Sequence, residues 1–425
     1  MAFRLLLAIG CARPCFAASE QSGQSPPAQP ASEQPAQPAS EQPASEQPPP
    51  EPSSPGGAPP PAPDRQTERS ALEDSEPALP EKKAKDYPAY VILPAAYYSA
   101  EVGLAFLVHN ELQFLPEGPR SKSPPSSVTL GVAYSTLNQF LTESKPQFYL
   151  DDSRTWLWGT YLFRRYTDRY YGTGNDTPGD YQTFLEYVVH LRSEGARQVL
   201  PRLYVGGLHE IKAMLDIEGK AVFDPNDNEI PNGDPLLTAQ TPGYSSGLVH
   251  GLGGQVFWDS RDSIYYPTRG GYYQTTLTAF LSPLGSDHQF VRWTLDARHF
   301  FPLYRKDLIL GLQLWHEVRG GDVPFHMLAE FGGAWQMRGY RDGRYRDLHQ
   351  TVVQAELRFP LFWRFLGVAF VGMGEVYGTS DFAFDLLRVA AGGGVRYRFN
   401  DTLFLRMDLA RGSETMVIFN GGQAF

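Results

Sequence analysis

From residue 87 onward the chain repeats one pattern: segments of roughly ten residues with apolar side chains at alternate positions, parted by clusters of Gly, Pro, Asp and Asn. Period two describes strands with unlike faces. In VRWTLDARHF, Val291, Trp293, Leu295 and Ala297 alternate with Arg292, Thr294, Asp296 and Arg298. In VQAELRF, Val353, Ala355, Leu357 and Phe359 alternate with Gln354, Glu356 and Arg358, so Glu356 and Arg358 share a face. LFLRMDLAR sets Leu403, Leu405, Met407 and Leu409 against Arg406 and Asp408, and GVRYRF sets Val395, Tyr397 and Phe399 against Arg396 and Arg398. The pattern predicts strands near 90–98, 101–113, 126–136, 139–149, 154–165, 181–193, 201–213, 247–258, 271–281, 288–301, 306–317, 349–359, 366–377, 386–398, 402–411 and 415–425. The first of these reads equally as part of a plug or turn, and 214–246 and 318–348 read as long loops.

Two architectures use such strands. A water-soluble sandwich turns the apolar face to its core, whereas a membrane barrel turns it to lipid and lines its lumen with the charged face. Three features favour the barrel. Aromatic residues make up 13% of the chain, many near strand ends (Tyr265, Tyr266, Tyr272, Tyr273, Trp156, Trp158), where interfacial girdles sit. The polar face carries full charges of both signs, as a wet lumen closed by side-chain pairs requires. The chain ends on Phe425, the aromatic terminus of a strand-like run TMVIFNGGQAF, which reads as an address for outer-membrane assembly. The expected fold is therefore all-β, a transmembrane antiparallel barrel of about sixteen strands, an even number that puts both ends in the periplasm.

The first 86 residues are different material. MAFRLLLAIGCARPCFAASE has one cation, Arg4, a short apolar run and small residues before Ser19, which reads as a signal peptide over 1–18. Ala8-Ile9-Gly10-Cys11 also resembles a lipoprotein box with Cys11 as the lipidated residue. Both cysteines, Cys11 and Cys15, lie in this segment, so a cleaved chain has no thiol chemistry. Residues 19–86 repeat a Pro-Ala-Ser-Glu-Gln unit with few large apolar side chains, which predicts a disordered periplasmic tether. A proline-rich ligand or a segment threading the cell wall are the other readings. The net charge of −10 speaks against a nucleic-acid partner.

The stretch WDSRDSIYYPTRGGYYQTTLTAF holds a turn motif, Asp259, Arg261, Asp262, Pro267 and Gly270. Its Asp and Ser side chains can accept backbone bonds, and a glycine can take positive φ, so a hairpin turn suffices for it. Next comes FGGAWQMRGYRDGRYRD, with Gly332, Gly333, Arg338, Gly339 and Tyr340, then Glu356-x-Arg358-x-Pro360, then Gly392-x-Gly394-x-Arg396 and Arg406-x-Asp408. In that order, over about 247–425, these parts resemble the barrel domain of the BamA/TamA (bacterial surface antigen) superfamily of outer-membrane assembly and secretion proteins. The resemblance implies that loop 318–348 folds into the lumen and that Arg338 meets wall carboxylates. Glu356 is the expected partner, with Asp296 a second. An aspartate common in the family is replaced by Gly372, for which Glu375 is the candidate substitute. The family's POTRA modules have no counterpart in 19–86, so the chain resembles the barrel-only branch.

Other chemistry is thin. Gly243-Tyr244-Ser245-Ser246-Gly247 fits a nucleophile-elbow pattern but lies between a loop and a strand, not in the required strand-turn-helix context. Gly172-x-Gly174-Asn175-Asp176 is read as a loop turn and not as a phosphate cradle, as no helix follows. The nine histidines show no metal-ligand spacing. The expectation is no enzyme, no metal and no cofactor. Gly421 and Gly422 weaken the closing strand, and in the family a weak seam between first and last strands admits a client strand or a lipid defect. The expected function is insertion or translocation of protein or lipid there. The alternative is a non-catalytic structural or surface barrel, homo-oligomeric through its weak edge. A diffusion pore ranks third, because an inserted loop plugs it. The expected partners are outer-membrane lipids, the outer-membrane assembly machinery during biogenesis, and client outer-membrane proteins or a second copy.

Overall fold

The computed structural model describes residues 88–99, 103–118, 123–303, 307–379, 386–399 and 404–425. The signal peptide and tether read from the sequence lie outside them. The described residues form eighteen strands: β1 Ala89–Ser99, β2 Gly103–Phe114, β3 Ser126–Ser135, β4 Phe140–Leu150, β5 Thr155–Tyr170, β6 Tyr181–Leu200, β7 Leu203–Phe223, β8 Gly247–Asp259, β9 Gly270–Phe280, β10 Phe290–Pro302, β11 Ile309–Gly321, β12 Ala329–Phe331, β13 Tyr345–Asp347, β14 His349–Phe362, β15 Phe365–Tyr377, β16 Arg388–Arg398, β17 Phe404–Arg411 and β18 Thr415–Gly421. Sixteen form one sheet in chain order from β1 to β18, each antiparallel to the next, while β12 and β13 form a separate two-stranded ladder, with Arg346 of β13 also bridging Gly174. Among the described residues no ladder joins β1 to β18.

The two faces of this sheet are inverted relative to a soluble protein. Leu277, Leu409, Leu252 and Val353 stand outward, 54%, 56%, 49% and 46% exposed, while Arg358, Arg396, Glu356 and Asp408 are wholly buried. A sandwich would bury the first set and wet the second, so the alternation resolves in favour of the barrel. Several boundaries differ from the expected ones. The segment 90–98 is a full strand, β1, paired along its length with β2. Strand β7 continues to Phe223 and β11 to Gly321, so the long connections are 224–246 and 322–348. At ~3.3 Å per residue, β6 and β7 are about twice as long as a membrane crossing needs. The closing strand is shorter than expected, ending at Gly421 and not at Phe425.

The expected girdle is also redistributed. Trp156, Trp158 and Tyr272 pack inward on Tyr204 and Phe257, with Tyr204 and Phe257 stacked at 4.7 Å. Tyr266 is inward too, stacked on Phe404 at 5.1 Å. Of the six aromatics read as a girdle, Tyr273 is the one that is clearly outward-facing, and Tyr90, Tyr134 and Trp258 join it there.

Candidate functional site

Strands β12 and β13 form a small hairpin inside the 322–348 connection, and between them the chain makes the turn carrying Arg338. Gly332 and Gly333 lie at φ 111° and 104°. Gly339 has φ 111°, and a Cβ there would stand 2.5 Å from the Gly412 backbone nitrogen, so no other residue fits. Phe331, Met337, Tyr340 and Tyr345 then pack on Val352, Val376 and Ala390 of the wall. This apolar packing holds the loop in the lumen and sets Arg338 against the wall carboxylates.

Arg338 is 1% exposed. Its Nη1 donates to Glu356 Oε2 at 2.8 Å and to Asp408 Oδ2 at 2.9 Å, and its guanidinium lies 3.5 Å from the Phe370 ring centroid. Arg358 Nε donates to Glu356 Oε1 at 2.9 Å, and Arg396 bonds Asp408 and approaches Glu356 at 3.5 Å. Arg406 stands 3.7 Å from Asp408 and donates to the Ala334 carbonyl of the loop at 2.7 Å. Four arginines thus share two carboxylates. Guanidinium stays charged in proteins, so the excess is balanced by backbone carbonyls and aromatic faces, which supply weaker negative potential.

Glu356 is the partner expected for Arg338; Asp296 is not. Asp296 binds Arg298 and accepts from Gln313 Nε2 at 3.0 Å, held there by its own strand and the next. Glu375 does not substitute for the missing aspartate either: Asn175 Nδ2 donates to it at 3.4 Å. A Cβ at Gly372 would meet Met337 Sδ at 3.2 Å, so that wall position abuts the loop directly. The second carboxylate is Asp408. Its inward facing was legible in the alternation of LFLRMDLAR, but no partner had been assigned to it.

The sequence motifs also meet lower in the lumen. Arg358 Nη2 donates to the Phe425 carbonyl at 2.7 Å and Nη1 to the Pro267 carbonyl at 3.4 Å, inside a cage of Tyr266, Phe300 and Phe425 rings. Gly422, at φ 81°, turns the last residues off β18 into this cage. The Asp259–Gly270 turn is self-bonded as expected. Asp259 holds Arg261 through two contacts at 3.0 and 2.7 Å, and Gly270 takes φ 87°. Burial opposes ionisation of Asp262, but bonds from Thr268 and Arg269 hold its carboxyl below the ordinary aspartate range.

Two arginines of the same loop secure its upper half. Arg346 donates to Asp168 at 3.2 Å and accepts, through its carbonyl, the Gly174 amide at 2.8 Å. Arg344 Nη1 donates to Thr177 Oγ1 at 2.9 Å. The Gly172–Asp176 turn is therefore a loop clamp. His326, beside Lys212, is kept neutral: burial, then the neighbouring cation, pushes its pKa well below the usual imidazole value. The histidines are less scattered than their spacing suggested, since His209 and His250 meet across β7 and β8 at 2.8 Å on the outer face. Among the described residues no group of three metal-ligating side chains forms.

Residues 225–422 match the family model described as the Omp85 superfamily domain. The structure of BamA from Haemophilus ducreyi lacking POTRA domains 1-3 is similar, with TM-score 0.50 and 13% identity over 84% of this chain and 78% of that one. CdiB from Acinetobacter baumannii gives TM-score 0.46 and 12% identity over 79% of this chain and 65% of that one. No curated protein sequence matches. The resemblance read from the ordered motifs is borne out by the family match, and the BamA likeness agrees with it in fold.

Proposed function

Because this chain is an Omp85 superfamily barrel, we propose that it works at the seam between β1 and β18, inserting or translocating protein or lipid there. On this reading the barrel sits in the bacterial outer membrane and residues 19–86 reach into the periplasm. The observation that carries the proposal is the unequal, unjoined pair of sheet ends. Strand β1 has 11 residues and β18 has 7, and the turn at Gly422 prevents β18 from extending along its neighbour. An edge with free backbone donors and acceptors is a template for strand addition. The loop network fixes β14 to β17 through Glu356 and Asp408 and touches β18 at its two ends, where the Glu414 amide donates to the Gly339 carbonyl and Arg358 holds Phe425, so the free edge of β18 itself stays outside the clamp. No catalytic step is needed.

The experiment is photo-crosslinking in native membranes from Val417 and Phe419, outward positions of β18. The inward positions Met416, Ile418 and Asn420 serve as controls. Adducts from the outward positions to other outer-membrane proteins or to lipopolysaccharide are expected. Adducts only to a second copy of the chain would replace this reading with a homo-oligomeric structural barrel.

A further inference from the structure

Among the described residues, two cavities of the lumen have linings that differ in kind. The upper, about 340 Å³, is ionic, with Glu210, Glu317, Lys212, Arg292 and Arg319 in its wall. The lower, about 590 Å³, lies between the tip of the inserted loop and the C-terminal residues, a size typical of small-molecule sites. Its cations, Arg261 and Arg298, are each already bonded to a carboxylate of their own, Asp259 and Asp296. What remains facing the space is aromatic rings and side-chain amides.

We propose that this lower cavity is a saccharide-binding site. Three observations carry it, none of which depends on the seam. Trp335, at the loop tip, is 44% exposed although it sits within the lumen, and Arg406 lies 4.7 Å from its ring centroid. Gln423 is 9% exposed, yet neither its amide oxygen nor its amide nitrogen has a partner among the described residues. The indole nitrogen of Trp315 is likewise buried and unpartnered. Buried polar atoms are normally satisfied, so the unpartnered amide of Gln423, which lines this cavity and not the upper one, marks a group that a guest completes, and the Trp315 indole stands between the two cavities. The guest must be uncharged, carry several hydroxyls, and offer apolar C–H faces to the electron-rich faces of aromatic rings. A hexopyranose ring has those properties. A polypeptide bound by strand addition would instead require a free strand edge along the wall, whereas the neighbouring wall strands β10 and β11 are laddered on both sides.

The test uses the full chain purified in a sugar-free detergent, titrated with maltotriose, with tri-N-acetylchitotriose and with a Gly-Ser heptapeptide. Tryptophan emission and calorimetry report binding. A saturable response to one of the sugars is expected; the plain glucan and the N-acetylated amino sugar separate a free-sugar source from a cell-wall source. Gln423→Ala should weaken binding by about tenfold, the cost of one lost hydrogen-bonding group, and Trp335→Ala at least as much. Gln147→Ala, at an exposed lining position, gives a milder loss if either of those variants fails to fold, which heat-modifiable gel mobility reports. No sugar response from folded protein, binding unchanged in the variants, or response to the peptide alone would each overturn the assignment.

Discussion

The wall built by β14 to β17 and the wall built by β2 to β4 follow the same alternation yet hold different things inside. Outward, Val353 and Leu409 of the first match Phe106 and Val132 of the second, all more than a third exposed. Inward, the first wall presents Glu356, Arg358, Arg396, Arg406 and Asp408, while the second presents Ala105, Leu107, Ala133, Ser135 and Leu141 in one stretch and His109, Glu111, Gln113, Glu143 and Lys145 in the next. One inner face is an electrostatic socket for a loop arginine; the other is small and apolar in part and elsewhere pairs its polar groups within itself, Lys145 with Glu143 at 2.9 Å and Gln113 with Glu111 at 2.7 Å. The outer faces answer to lipid and so converge. The inner faces answer to what they grip, and only the C-terminal wall grips the loop through its central arginine.

The sharpest way to break this contrast is to remove a scarce partner. With four arginines on two carboxylates, Glu356→Gln leaves buried cations uncompensated and should cost ~3–5 kcal/mol, read as a lower temperature for loss of the heat-modifiable band. Arg338→Ala should cost less, ~1.5–3 kcal/mol, because the carboxylates keep three other guanidinium groups. If Arg338→Ala proves the worse of the two, the charge accounting is wrong. Gly339→Ala adds ~1–3 kcal/mol of backbone strain in a region disfavoured for side chains, and should expose the loop to protease before the barrel unfolds.

The smallest effect is a pH slope. The folded pKa of His326 lies below its ordinary value of 6.5. Its contribution to stability is therefore complete above that value and is lost as pH falls below it, when the unfolded chain takes up a proton that the folded chain refuses. The slope is at most ~1.4 kcal/mol per pH unit, and His326→Gln should flatten it in a melting series between pH 7 and pH 5.

Where alternation was regular, the sequence placed side chains well: Arg292, Glu356, Arg396 and Asp408 all face inward as read. Period two separates two faces but does not say which face an aromatic prefers, so Trp156 and Tyr272 were assigned outward and lie inward. The hairpin of β12 and β13 has three residues per strand, too few to show any period. The bond from Arg346 to Asp168 spans 178 positions and depends on closing much of the barrel sheet first. A clamp of that kind becomes visible only in three dimensions.

A sheet fixed around the loop and open at its ends has a distinct pattern of backbone protection. Amide hydrogen exchange on the full chain in lipid nanodiscs tests it most directly. Strong protection is expected across β14 to β16, with exchange on the order of a hundredfold faster along the outer edges of β1 and β18, where among the described residues no ladder bond protects the amides. Equal protection of the terminal strands and the central ones would mean a closed barrel and would contradict it.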